Sequence, residues 1–179
     1  MMPIFTARRK FDPRCGDYWL GYIEWSGFHH IKELVSTDSI LSPSMIEALI
    51  DADWEFNVHT DNLVYFFHDF EYLKRRIVYD SSRHNLLAIF ERPTQAPAQI
   101  EGFTFCGYDI LDSADSISVL TNCGRFPLIY TPDDLNPLGL ISDLGRVTEI
   151  AEAIRKTKAD DHHCRDCRVW GIARYTDDN

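Results

Sequence analysis

The chain has 179 residues, 45% hydrophobic and 13% aromatic, with 18 Lys and Arg against 28 Asp and Glu, a net charge of −10. That length suits one globular domain over residues 1–179, able to bury roughly 70% of its unfolded surface, and the composition excludes an intrinsically disordered chain. The charge is even, 9 basic and 13 acidic side chains in residues 1–90 against 9 and 15 in residues 91–179. Neither half carries the basic stripe that a phosphate backbone needs, so nucleic acid is not an expected partner.

No apolar run approaches the roughly 18 residues of a membrane span. Arg8, Arg9 and Lys10 follow a very short apolar run, the wrong order for a secretion signal. The five cysteines, Cys15, Cys106, Cys123, Cys164 and Cys167, are an odd number in a chain long enough to do without staples. Reduced thiols in the cytoplasm are the expectation.

In chain order, residues 1–15 lack periodicity and are expected to be loosely held. Tyr18, Trp19, Tyr22, Ile23 and Trp25 then follow helical spacing from Asp17, with Gly27 placed to end the helix. A short extended piece is expected around Glu33–Ser36. Ser42-Pro43-Ser44-Met45-Ile46-Glu47 has the proline and capping-box spacing of a helix start, and the stripe Met45, Ile46, Leu49, Ile50 predicts a helix to about Asp53. From Trp54 to Phe67 the pattern reads as extended, and Phe70, Leu73 and Ile77 mark a second short helix over Asp69–Ile77.

The second half reads as sheet. Asn85–Phe90 is an apolar run of strand length closed by Pro93, and 95–99 is a loop. Gly102–Leu111 alternates, predicting Phe103, Phe105, Gly107 and Asp109 on one face, with Ile117–Leu120 as a pairing partner. Thr131-Pro132-Asp133-Asp134 is a turn. Val147, Ile150, Ala151 and Ile154 give the best helix, opening at Asp143 and ending among Arg155, Lys156 and Lys158. Arg168–Tyr175 is a strand apolar on both faces and therefore expected at the centre of the sheet. The fold class is α+β: a mixed or mainly antiparallel sheet with helices packed against it as a single layer pair.

His162-His163-Cys164-Arg165-Asp166-Cys167 is the one cluster of soft ligands. Cys-x-x-Cys before a strand has the spacing of half a zinc knuckle, with Cys106 and Cys123 as the available second pair. In an extended chain His162 and His163 point to opposite sides, which suits a loop entering the core better than a shared ion. Cys123, beside Asn122 and Gly124, is the candidate thiol nucleophile, with a buried turn as its structural alternative. His29-His30 and His59 with His68 lack the spacing of a helical metal site, and no phosphate loop, dinucleotide fingerprint or nucleophile elbow occurs. No catalytic, cofactor or metal residue is assigned on this basis.

Phe105-Cys106-Gly107-Tyr108-Asp109-Ile110-Leu111, followed by Ser118-Val119-Leu120-Thr121-Asn122-Cys123-Gly124 and a closing Cys167-Arg168-Val169-Trp170, resembles a pattern in a group of small uncharacterised bacterial proteins. Asp53-Trp54 and Phe70–Arg76 extend that resemblance, which implies no activity and no site residues. Small acidic domains of this style resemble immunity proteins that plug a toxin's active site. The leading expectation is a non-catalytic protein-binding domain, an immunity-type inhibitor of a basic partner. The alternative is a zinc-binding or cysteine-dependent enzyme using Cys123, Cys164 and Cys167.

Overall fold

The structure, a computed structural model, describes residues 2–11, 17–42, 66–77, 79–114, 117–122 and 128–176. The expected helix from Pro43 to Asp53, the stretch from Trp54 to Tyr65, His59, Cys15 and Cys123 lie outside the described residues. The frame is a four-stranded antiparallel sheet of β1 (Ile4–Arg9), β2 (His84–Glu91), β3 (Phe103–Leu111) and β4 (Arg168–Tyr175), in the order β1-β2-β4-β3. The α+β class is thus met, with β4 in the interior of the sheet as its two apolar faces require.

The start of the chain is a correction. Residues 4–9, expected to be loose, form an edge strand in full register with β2, from Ile4 opposite Ile89 to Arg9 opposite His84. Thr6 and Arg8 conceal the strand in the sequence because both polar side chains point inward and are fully buried. Arg8 donates from its guanidinium to the Thr37 carbonyl, so its charge comes with a partner from the segment packed over it.

Register sorts the side chains into two faces. Phe5, Ala7, Leu86, Ala88, Phe90, Phe103 and Ala173 share one, with Phe67 and Leu73 packed on them. Leu73 belongs to α2 (Phe70–Arg76), which is capped by the Asp69 carboxylate accepting from the Tyr72 amide. Ile4, Leu87, Ile89, Trp170 and Ile172 share the other face, under Val35, Phe66 and Leu140. A third cluster fills the space along β3, where Tyr108 and Ile110 meet Val147, Ile150, Ala151 and Ile154 of α3 (Leu144–Thr157) and Tyr22 of α1 (Asp17–Ser26). Gly27 ends α1 at φ +74°, the left-handed turn its position predicts.

The alternation expected along β3 breaks at Cys106. Phe105 pairs with Ala173 and Gly107 with Ile172, so Cys106 is an extra residue and a β-bulge. Phe103 and Phe105 consequently face opposite to Gly107 and Asp109, a second correction. Gly107 sits at φ +138°, and a Cβ there would lie 2.9 Å from the Ile141 carbonyl oxygen and 2.9 Å from Leu140 Cβ. Only glycine lets segment 136–141 press on the strand at this point, where Tyr108 and Ile141 exchange both backbone hydrogen bonds. The bulge therefore re-aims Asp109 toward segment 36–42. Ile117–Leu120 meets β3 through the bridge Leu111–Ser118 and the Val119 amide on the Ile110 carbonyl.

Candidate functional site

A group of chemistry-bearing side chains among the described residues gathers at the Leu111 end of β3. Segment 36–42, the chain from Asp112 to Asn122 and α4 (His162–Arg165) converge there. They enclose a concavity of about 190 Å³ lined by Ile40, Ile117, Asn122, Asp161, His163 and Cys164. Ile40 stands at the rim, 64% exposed.

Residues 162–165, expected as a loop, make a single helical turn. The Asp161 side chain caps it by accepting from the His163 amide at 3.0 Å, and that bond holds the carboxyl below the usual range. The turn overturns the extended geometry assumed for the two histidines, whose ring centroids lie 3.9 Å apart. His163 is fixed at both ends: its carbonyl accepts from the Ser113 amide, and its Nδ1 lies 2.9 Å from Asp112 Oδ2. Asp112 is 1% exposed and its other oxygen accepts from the Ile117 amide, whereas the His163 ring is 46% exposed. A buried carboxylate so placed orients an imidazole and leaves Nε2 for chemistry or binding.

Behind the wall lies a second layer of carboxylates. Asp38 is fully buried and accepts from the amides of Ile40, Leu41 and Ser118 and from Asn122 Nδ2, four neutral donors. Asp109 is 1% exposed; its Oδ1 accepts from Ser118 Oγ at 2.7 Å and from the Ile110 amide, and its Oδ2 from Ser36 Oγ at 3.1 Å. Burial pushes the Asp109 carboxyl up to about 7, reinforced by neighbouring Asp38 and opposed by those hydrogen bonds. Tyr22 donates its hydroxyl to the Thr121 carbonyl, and burial followed by the nearby Tyr130, Asp38 and Asp109 drives its own ionisation up.

Cys164 forms part of the concavity and Cys167 lies deeper, 2% and 1% exposed. Both are free thiols, pushed up to about 11 chiefly by burial. Cys106 lies at the bulge, away from them in the fold, and its thiol is also raised by burial. Among the described residues no group of three or more His, Cys, Asp or Glu side chains is arranged to hold a metal ion. His30 Nε2 meets the Leu135 carbonyl, far along the chain from the cysteines.

Sequence reasoning singles out His163 and Cys164 as soft ligands without assigning them a role, names Asn122 only as a turn residue, and gives Asp38, Asp109 and Asp112 no part in a site. Two signals for them were present: Asp109 interrupts the apolar run of β3, and Ser118 and Ser36 are polar residues in segments that pack. A larger groove of about 320 Å³ lies on the opposite side of the bulge, between loop residues Ala96 to Ile100 and Phe90, Phe103 and Phe105. Its lining holds no titratable group. No helix among the described residues is long and apolar enough to cross a membrane. Compared with known proteins, the chain matches no family model, no curated protein and no solved structure.

Proposed function

We propose that this is a protein-binding domain that takes a basic partner, receiving a lysine or arginine side chain in the concavity between Ile40 and His163. The observation that carries the reading is the acidic construction of that concavity. Asp161 stands at its edge, Asp38 and Asp112 lie directly behind Asn122 and His163, and neither lysine nor arginine is among the described residues that line it. Ile40 offers apolar surface to the aliphatic stem of such a side chain while the carboxylates attract its head. The net charge of −10 acts in the same direction at longer range, steering a basic surface inward. An inhibitor in the manner of immunity proteins fits this mode of action, and free Cys106, Cys164 and Cys167 suit a reducing cytoplasm.

A hexa-arginine peptide is the probe. Titrated into isotopically labelled protein, it should shift the amide resonances of Ile40, Ile117, Asn122 and Asp161, with affinity falling steeply between low and physiological salt. Asp161→Lys should weaken it at least about tenfold, since it turns an attraction at the rim into a repulsion. Shifts confined to other parts of the surface, or an unchanged affinity in D161K, would remove the reading.

One observation favours a second reading, an acid–base enzyme. The Asp112–His163 pair has the base-and-orienter geometry of a nucleophilic site. The thiols of Cys164 and Cys167, raised to about 11, do not supply its nucleophile at neutral pH. Turnover of small activated esters that vanishes in His163→Ala would establish this reading in place of the first.

A further inference from the structure

Of the three elements that wall the concavity, two, segment 36–42 and the chain from Asp112 to Asn122, are bridged by one buried side chain. Ser36 opens the segment carrying Asp38 and Ile40; Ser118 opens the turn carrying Asn122 and follows Ile117. Both hydroxyls donate to Asp109, one to each carboxyl oxygen. Each serine oxygen also accepts from its own wall, Ser36 Oγ from the Asp38 amide and Ser118 Oγ from the Thr121 amide. Asp38 closes the circuit by accepting from the Ser118 amide and from Asn122. The two walls are therefore hydrogen-bonded to one another through carboxylates that lie side by side in the interior.

We propose that Asp109 is a proton-controlled tie between these two walls of the concavity, clasping them while it holds a proton and loosening them when it ionises. In the neutral acid one serine hydroxyl turns from donor to acceptor for the carboxyl proton, so both walls stay bonded to an uncharged group. The anion keeps all three donors, but burial outweighs them. The anion places a second buried negative charge beside Asp38 and is relieved when either wall lifts and admits water. Among the described groups that act on it, the charged one, Asp38, adds to that charge. Segment 36–42 brings Asp38, α1 brings the neutral phenol of Tyr22, the turn brings Ser118, and β4 brings Trp170 opposite it in register. Arg8 of β1 reaches segment 36–42 at the Thr37 carbonyl instead. The tendency of the carboxyl to titrate near neutrality supports a switch within the physiological range. Given the reading of the concavity as a socket for a basic side chain, on which the functional consequence rests, a bound cation favours the anion. Binding then releases a proton and tightens as pH rises through about 7, because linkage is reciprocal.

The test is made on the free protein, so it stands apart from the peptide titration. Hydrogen exchange of the Leu41 and Ser118 amides, both donated to Asp38, reports opening of either wall once intrinsic rates are corrected. In the wild type their protection should fall about tenfold or more from pH 6 to pH 8, while that of Ile89 and Ile172 in the sheet stays level. Asp109→Asn, which imitates the protonated acid, should keep protection high and flat across that range. Carbon-13 titration of the aspartate carboxyls in the wild type needs no variant and should show one buried aspartate titrating near neutrality. Wild-type protection independent of pH, an unchanged pH profile in D109N, or every aspartate titrating in the ordinary range would overturn the tie. Failure of hexa-arginine to bind would overturn only the socket.

Discussion

At the scale of single residues, the site depends on a few side chains whose neighbours leave them little choice. His163 is one, since backbone bonds at its amide and carbonyl and the Asp112 carboxylate at Nδ1 all hold it. In the wild type its Nδ1 proton should exchange slowly enough to give a downfield resonance. Asp112→Asn should abolish that resonance and let the ring turn; a signal that persists in D112N would mean that Asp112 does not orient it. Gly107 is another. An alanine there meets both an unfavourable φ and two atoms at 2.9 Å, so Gly107→Ala should cost about 2–4 kcal/mol from strain and overpacking together. Urea denaturation should show a lower midpoint with an unchanged slope. A loss under about 0.5 kcal/mol, the ordinary range for a surface change, would show that segment 136–141 yields easily.

At the scale of elements, legibility in the sequence followed the source of each element's stability. The helix α3 announced itself because its four buried residues sit at helical spacing and Asp143 caps it, accepting from the Arg146 amide at 2.7 Å. Ile150 is fully buried in that stripe, so Ile150→Ala should cost about 2–5 kcal/mol. Asp143→Ala, which removes only the cap, should cost about 1 kcal/mol. Thermal melts of the two variants should keep that order, and equal losses would refute the division between packing and capping. β2 and β4 were legible for a similar reason, being continuous apolar runs. β1 was not, because Thr6 and Arg8 point into the interior and disguise it as polar chain. The bulge at Cys106 was hidden too, since a two-residue period gives no warning of one inserted residue. The site suffered most. Asp38, the pair Asp109 and Asp112, and His163 come from three separate stretches of the chain, and only the fold brings them together.

At the scale of the whole molecule, stability against pH follows from which carboxyls are raised and which are lowered. Asp134 is lowered chiefly by the Arg146 guanidinium bonded to it, and Asp161 by the His163 amide. Groups of this kind stabilise the fold above their unfolded value near 4, and that contribution disappears as pH falls through the folded value. Asp109 acts in the opposite sense. The folded state keeps its proton up to about 7 while the unfolded chain loses it near 4. Stability therefore declines as pH rises between those values, by up to about 4 kcal/mol, and levels off beyond them. His84, lowered by partial burial, opposes this decline below its ordinary value, but it is only partly buried and its weight is smaller. Repulsion within a chain of net charge −10 adds to the decline as more groups ionise. The stability maximum should thus lie near pH 5, on the acid side of neutrality, and urea unfolding free energies measured from pH 4 to pH 9 should show it. In Asp109→Asn the descending limb between pH 5 and pH 7 should flatten and the maximum move upward. A wild-type maximum at pH 7 to 8, or a D109N curve parallel to the wild type, would show that another group governs the acid preference of the fold.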